Sequence, residues 1–267
     1  MACSIVFGKP GVGKTALLTY MANEVAFDYE RLKKCKNEIN MLNSGGFDFK
    51  QPDCLVFMDY SATFHKYGYK PRKSYEISGY HLGLPNEDYN TVLLPPYSFI
   101  VLDEAQKYYN SRLKNLNDYV SRFYELRRHN GYDIVLACQR LNLIDLNVRE
   151  IADEFILVDD LKFKYDVSGD IKQMIWTCYV WDNLSSVSSF VESNDKSKLG
   201  QKRIYKADYN VFDCYNSFNF KASFFKNCTK QSKFDLVRNE ALSLTIDEIA
   251  KFNEQFDYAV PKGYRSK

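Results

Sequence analysis

The sequence predicts an α/β fold in which helices cover both faces of a mostly parallel β-sheet, with a small antiparallel extension. Three observations predict it. Strand-like apolar runs alternate with helix-like patterns over about the first 160 residues, which is typical of strand–helix–strand units. A glycine-rich loop joins the first strand to the first helix. After Asp160 the strand-like runs are separated by short turns, which favours antiparallel pairing.

Short apolar runs predict the strands of the parallel sheet, at residues 3–7, 55–58, 99–102, 134–138 and 155–158. Apolar residues at helical spacing predict helices, at residues 14–26, 113–128 and 146–152. Asn130 and Gly131 follow the second of these helices and are typical of a helix end. Asp145 precedes the third helix and is a suitable N-cap.

The chain divides into three parts by pattern. Residues 1–165 form the core, interrupted at 60–97 by a long insertion that is rich in Gly, Pro, Lys and Tyr. Residues 166–216 form a β extension of the same domain, with strands at 174–181, 187–191 and within 204–215, and a basic loop at 196–203. Residues 217–267 form a polar tail, in which a capping box at 245–248 opens one helix.

Composition limits the classes of function. The formal charge is only +2, which excludes a strongly basic nucleic-acid coat and leaves local basic patches as the means of binding nucleic acid. Seven scattered cysteines, without a C-x-x-C pair, indicate reduced core thiols rather than a disulfide framework or a zinc site. No run reaches the ~18 apolar residues that a membrane-spanning helix needs.

The sequence GKPGVGKT at residues 8–15 has the spacing G-x-x-x-x-G-K-[ST] of a phosphate-binding loop. In such a loop backbone N–H groups surround phosphate, the lysine reaches the terminal phosphates, and the hydroxyl binds Mg²⁺. Lys14 and Thr15 hold these positions. The predicted contacts to ATP are Gly8, Lys9, Pro10, Gly11, Val12, Gly13, Lys14, Thr15 and Ala16.

Polar residues follow two of the predicted strands and complete a hydrolytic site. Asp103 and Glu104 come directly after the run at 99–102, so Asp103 is predicted to hold Mg²⁺ and Glu104 to orient the attacking water. Gln139 ends the next strand and is predicted to sense the γ-phosphate. The alternative for Gln139 is an ordinary exposed strand end.

An arginine that completes a neighbouring subunit's site is expected if the subunits form a ring. Four arginines are candidates: Arg122, Arg127, Arg128 and Arg149. Most arginines on helix faces are simply solvated, so spacing alone does not choose between them.

Residues 60–75 mix aromatic residues with lysines and arginines and contain no acid. Bases stack on aromatic rings while cations follow the phosphates, so this composition suits single-stranded nucleic acid. The predicted DNA contacts are Lys66, Tyr67, Tyr69, Lys70, Arg72 and Lys73. An exposed loop without a ligand is the alternative.

Three stretches resemble the N-terminal ATPase domain of the zonular occludens toxin family, which includes filamentous-phage assembly ATPases. They are IVFGKPGVGKT, YSFIVLDEAQKYYNSR and ELRRHNGYDIVLACQRLNLIDLNVREIAD, and YKADYNVFDCYNS is similar to the family's closing aromatic strand. The resemblance covers about residues 3–217 and implies a P-loop ATPase with ATP and Mg²⁺ as cofactors. It also implies a homo-oligomeric ring that drives export and assembly of single-stranded phage DNA with a coat protein.

The resemblance carries roles onto Lys14, Thr15, Asp103, Glu104 and Gln139, and it makes Arg149 the preferred arginine for a contact between subunits. Family members usually carry a membrane span after the ATPase domain, and this chain departs from that pattern. Two expectations follow: either a separate membrane protein anchors this protein at the inner face of the cell membrane, or it works in the host cytoplasm. The toxin activity in the family's name belongs, in some members, to an extension after the ATPase domain, and the resemblance does not transfer it to this chain.

Three alternatives remain at this point. A DNA translocase of a plasmid or mobile element shares the same site pattern. A guanine-nucleotide switch is disfavoured, because the guanine-reading N/T-K-x-D motif is missing and the D-x-x-G at 166–169 lies beyond the fifth strand. A small-molecule kinase is disfavoured because Glu104 beside Asp103 indicates attack by water.

Overall fold

A computed structural model describes residues 2–46, 50–79, 82, 94–110, 118–208 and 211–215. Its strands are β1 (Cys3–Phe7), β2 (Val56–Met58), β3 (Thr63–Phe64), β4 (Arg72–Lys73), β5 (Tyr75–Glu76), β6 (Phe99–Leu102), β7 (Asp133–Cys138), β8 (Glu154–Tyr165), β9 (Ile171–Trp181) and β10 (Gln201–Ala207). Its α-helices are α1 (Lys14–Ala26), α2 (Tyr29–Ser44), α3 (Asp118–Leu126), α4 (Leu146–Ile151) and α5 (Leu184–Ser193).

An eight-stranded sheet runs through the molecule in the order β10-β9-β8-β1-β7-β6-β2-β5. The six strands from β8 to β5 pair in parallel, and β9 and β10 extend the sheet in antiparallel fashion. The short strands β3 and β4 form a separate antiparallel pair. The predicted fold class, a mostly parallel α/β sheet with an antiparallel extension, is confirmed.

Helices cover the sheet on both faces because successive strand residues point to opposite sides. On β1, Ile5 and Phe7 pack with α2, α4 and α5 in one core cluster. Val6 faces the other way and packs with the buried face of α1 in a second cluster. The strands that carry the site are therefore buried on both faces and present only their ends to solvent.

Several predicted elements differ from the observed ones. Residues 187–191, predicted as a strand, lie inside the helix α5, whose N-cap Asn183 accepts a hydrogen bond from the Ser186 backbone N–H. The last strand was expected within 204–215, but β10 begins at Gln201, and residues 211–214 form a 3₁₀ turn.

The predicted helix at 113–128 is observed as α3 from Asp118 to Leu126, and residues 111–117 lie outside the described chain. The predicted tail helix, opened by the capping box at 245–248, also lies outside it. Helix α2 was not predicted. Asp28 caps it, and Leu32, Cys35 and Ile39 form its buried stripe.

The six cysteines in the described residues are buried and free of disulfides, as predicted. Burial raises the pKa of the thiols of Cys3, Cys35 and Cys138 to about 12, so these side chains stay protonated and pack as small apolar groups. Within the described part of the chain, no helix combines the length and apolar character needed to cross a membrane.

Candidate nucleotide-binding site

The loop at residues 8–13 connects β1 to α1 and lies at the carboxyl edge of the sheet. Gly11 and Gly13 have φ of 81° and 80°, values that glycine adopts without steric cost. Gly13 is the N-cap of α1, and its carbonyl accepts the first helical hydrogen bond from Leu17 at 2.9 Å. The free N–H groups and the positive end of the helix dipole therefore face the loop, which favours an anion there.

Lys14 begins α1 and is 6% exposed. Its ammonium donates to the backbone carbonyl of Gly8 at 2.9 Å and to that of Lys9 at 3.1 Å. The positive charge is thus held within the loop itself, where a phosphate would lie.

Thr15 and Asp103 meet across the sheet edge, although 88 residues separate them in sequence. The Thr15 hydroxyl donates to Asp103 Oδ2 at 2.6 Å, and β6 delivers Asp103 to this point. Burial raises the pKa of the Asp103 carboxyl, although the Thr15 hydroxyl acts in the opposite direction. A hydroxyl and a carboxylate are the oxygen ligands that Mg²⁺ accepts while keeping several waters, so this pair fits the ion.

Asp59 supports Asp103 from behind and was not among the predicted site residues. It follows β2, accepts a hydrogen bond from the Asp103 backbone N–H at 2.8 Å, and accepts another from the Tyr108 hydroxyl at 3.1 Å. Burial raises the pKa of Asp59 to about 7. The signal was present in the sequence, because Asp59 ends an apolar strand in the same way that Asp103 does.

Glu104 has a left-handed backbone, with φ of 49°, which is uncommon for a residue with a side chain. Its carboxylate accepts hydrogen bonds from the Gln106 and Gln139 side-chain amides. The Gln139 contact measures 3.3 Å. Gln139 directly follows strand β7, which lies between β1 and β6, so the structure brings the predicted sensor next to the predicted water-orienting acid.

The loop opens into a cavity of about 460 Å³. Loop residues 10–16 and Glu104 line one side, and the other side comes from Asp160, Leu161, Phe163, Phe212 and Tyr215. These five residues were not predicted. They come from β8 and from the end of the described chain, so only the tertiary fold places them beside the loop.

The four candidate arginines occupy different environments. Arg127 is 3% exposed, and its guanidinium pairs with Asp153 at 2.8 Å and donates to the backbone carbonyl of Ile151. Arg128 also pairs with Asp153, and Arg122 is exposed on α3. Arg149 is half-buried on α4, and among the described residues its Nε has no hydrogen-bond partner.

The predicted DNA-contact residues form a loop around β3 and β4. Lys66, Tyr67, Tyr69, Lys70 and Lys73 are exposed, and the Lys66 ammonium lies 5.5 Å from the centre of the Tyr69 ring. Arg72 instead faces its own chain, where it stacks 5.3 Å from the centre of the Phe27 ring and donates to the Ala26 carbonyl.

Part of the chain matches the model of a known protein family. Residues 90–169 match the family model of zonular occludens toxin (Zot). This match agrees with the predicted resemblance to the Zot family over these residues. The Zot match includes Asp103, Glu104, Gln139 and Arg149. No curated protein sequence matches the chain.

Solved structures that are similar to the chain include the N-terminal domain of zonular occludens toxin from Neisseria meningitidis. It is 19% identical, with 80% of this chain and 98% of that chain covered and a TM-score of 0.48. The genome packaging NTPase B204 from Sulfolobus turreted icosahedral virus 2, solved with ATP-gammaS, is 12% identical. That match covers 76% of this chain and 96% of B204, with a TM-score of 0.35.

Proposed function

We propose that this protein binds ATP with Mg²⁺, hydrolyses it, and uses the energy to move phage DNA during virion assembly, export or packaging. The proposal depends on one observation, which is that the side chains needed for hydrolysis lie close together. Lys14, Thr15 and Glu104 line a single cavity on the carboxyl edge of a parallel sheet, and the Thr15 hydroxyl donates to Asp103 beside it. In open α/β sheets this edge is where ligands bind.

Each group of site residues has its own role in hydrolysis. The loop N–H groups and Lys14 bind and orient the phosphates, and Thr15 and Asp103 hold the metal. Bound Mg²⁺ neutralises charge that develops on the phosphate oxygens. Glu104 accepts a proton from the attacking water, and Gln139 holds the Glu104 carboxylate at 3.3 Å and contacts the γ-phosphate.

The first test replaces the predicted base. Glu104→Gln keeps the shape of the side chain but removes its ability to accept a proton, so we expect normal ATP affinity and turnover reduced by about a hundredfold or more. Binding is measured by calorimetry and turnover by phosphate release.

Glu192→Gln is the matched control, because Glu192 is exposed on α5 and does not line the cavity. It should hydrolyse ATP at the wild-type rate. Full turnover by Glu104→Gln would contradict the assignment of Glu104, and normal ATP affinity in Lys14→Ala would contradict the assignment of the loop.

Two features support DNA as the substrate of the motor. The loop around β3 and β4 exposes two tyrosines beside lysines: Tyr67 is fully exposed and Tyr69 is 59% exposed. Exposed rings and cations together suit single-stranded nucleic acid. The Zot match supports a phage-assembly setting, with a ring of subunits, a coat protein and a separate membrane anchor as the proposed partners.

The second test measures DNA stimulation of ATP turnover. We expect single-stranded DNA to raise turnover, and Tyr67→Ala to weaken DNA binding by about tenfold through loss of a stacking surface. Tyr165→Ala is the control, because Tyr165 is equally an exposed tyrosine, 60% accessible, but lies at the end of β8. ATP turnover that responds to neither DNA nor coat protein would overturn the motor proposal.

A nucleotide-controlled switch gains no support from the structure. The D-x-x-G sequence at 166–169 lies in the turn between β8 and β9, where Asp166 accepts hydrogen bonds from the backbone N–H groups of Ser168 and Asp170. This carboxylate stabilises its own turn.

A further inference from the structure

The far wall of the cavity is apolar and aromatic, in contrast to the phosphate-binding loop. Leu161 and Phe163 project from β8, and Phe212 and Tyr215 come from the last described segment. The Phe163 and Phe212 rings lie 6.3 Å apart, with their planes inclined by 38°. Phe163 is half-buried and Phe212 is 39% exposed, so both rings retain surface that a ligand can cover.

The fold holds this wall against the loop. The pairing of β8 with β9 shifts register between Val158 and Asp160, just before Leu161. Leu161 then packs so closely on Gly13 that a Cβ on Gly13 would lie 2.5 Å from Leu161 Cδ2. The Trp176 indole on β9 donates to the Gly13 carbonyl at 3.2 Å. The hairpin of β8 and β9 is thereby fixed to the last residue of the phosphate-binding loop.

We propose that Phe163 and Phe212 bind the base of the nucleotide by stacking. This inference rests on the proposed function, since it requires that the loop holds the nucleotide's phosphates. With the phosphates at Lys14 and Thr15, the remaining cavity leads towards the two rings, and its volume of about 460 Å³ lies within the range of nucleotide-sized sites. Aromatic side chains offer a flat apolar surface that matches a base.

The experiment compares two ligands that differ by the nucleoside. ATP and inorganic tripolyphosphate, both with Mg²⁺, are titrated into the full chain by calorimetry. Phe163→Ala and Phe212→Ala should each weaken ATP binding by about tenfold and leave tripolyphosphate binding unchanged, because only ATP carries a base to stack. Phe163→Trp should retain ATP binding. Tyr29→Ala is the control, since Tyr29 is an exposed aromatic residue at the start of α2 and does not line the cavity.

The outcomes separate this inference from the proposed function. Unchanged ATP binding in both alanine variants would overturn the stacking proposal and leave the ATPase proposal standing. Equal weakening of ATP and tripolyphosphate would also overturn it, because the rings would then act on the phosphate site through the packing of Leu161. Wild-type protein that binds neither ligand would overturn the proposed function itself.

Discussion

Gly8 is the loop glycine that lies closest to the backbone of a neighbouring strand. A Cβ placed on Gly8 would lie 2.6 Å from the backbone carbonyl oxygen of Val158, which belongs to β8 and cannot move without distorting the sheet. A Cβ on Gly11 would meet nothing within 4 Å. Both glycines have positive φ, of 154° and 81°, so an alanine is strained at either position, and contact with the Val158 backbone is added only at Gly8.

Alanine variants at Gly8 and Gly11 therefore test how much the contact with β8 constrains the loop. Gly8→Ala should lower the free energy of unfolding by about 1–3 kcal/mol more than Gly11→Ala, because it adds overpacking against a backbone to the cost of the φ angle. Denaturant titration measures both variants. Equal losses in the two would show that contact with β8 does not constrain the loop.

Glu104 shows strain at the residue scale as well. A glutamate with φ of 49° is held in an unfavourable region by its surroundings, here the hydrogen bonds of its carboxylate to Gln106 and Gln139. Its neighbour Asp103 is fixed by the hydrogen bond of its own backbone N–H to Asp59. The turn after β6 therefore presents both acids in fixed directions.

At the scale of elements, local patterns predicted local structure. The bounds of β1, α1 and β6 were predicted correctly, because their apolar spacing and the glycine loop lie within short stretches of sequence. Residues 187–191 were misread because five residues do not separate a strand from a helix. Over the longer window, Leu184, Val187 and Phe190 recur every three residues, as on a helix face.

The residues of the candidate site likewise fall into two groups, those that the sequence predicted and those that it did not. Lys14, Thr15, Asp103, Glu104 and Gln139 were predicted because the carboxyl ends of parallel strands meet at one edge, a rule that sequence order can apply. Phe163 and Phe212 were not predicted, because the fold of the antiparallel extension alone brings them to the loop.

Asp153 joins three elements just before β8. Its carboxylate accepts hydrogen bonds from the Cys3 backbone N–H at 2.8 Å, from Arg127 at 2.8 Å and from Arg128 at 2.6 Å. Burial tends to raise the pKa of Asp153, but these hydrogen bonds outweigh it, so the pKa lies below its ordinary value. The ionised carboxylate therefore stabilises the junction of β1, β8 and the end of α3.

Asp153→Asn should lower the free energy of unfolding by about 1–3 kcal/mol at neutral pH, because it leaves the buried Arg127 without its counter-charge. Because the pKa of Asp153 is lowered in the folded protein, its carboxylate stabilises the fold fully above the ordinary carboxyl pKa. That stabilisation is lost as the pH falls through the pKa of Asp153 in the folded protein. The gap between wild type and Asp153→Asn should therefore close towards acid pH.

Asp159→Asn serves as the control for this prediction, because Asp159 is exposed on β8. It should unfold at the wild-type denaturant concentration at each pH. A gap between wild type and Asp153→Asn that stays constant down to acid pH would show that packing, and not the carboxylate charge, accounts for the loss.

At the scale of the whole molecule, the cavity receives Lys14 but no arginine among the described residues that line it. Phosphoryl transfer sites commonly gain an arginine from a neighbouring subunit. Arg149 is the candidate, since its Nε has no hydrogen-bond partner in the described chain and it lies inside the Zot match. Burial raises the pKa of Cys138 at the end of β7, and the charge of Arg149 acts in the opposite direction. Arg149 therefore also affects its own subunit, and the experiment must separate the two roles.

Mixing two inactive variants tests whether sites are shared between subunits. Lys14→Ala and Arg149→Ala should each abolish ATP turnover when pure. In a ring formed from equal amounts of both, about a quarter of the head-to-tail interfaces pair an intact Lys14 with an intact Arg149 from the neighbour, so turnover should partly return. A mixture of Lys14→Ala with Glu104→Gln is the control and should stay nearly inactive, since both changes lie in the same subunit's half of the site. If the mixture of Lys14→Ala with Arg149→Ala is as inactive as this control, Arg149 acts in the site of its own subunit.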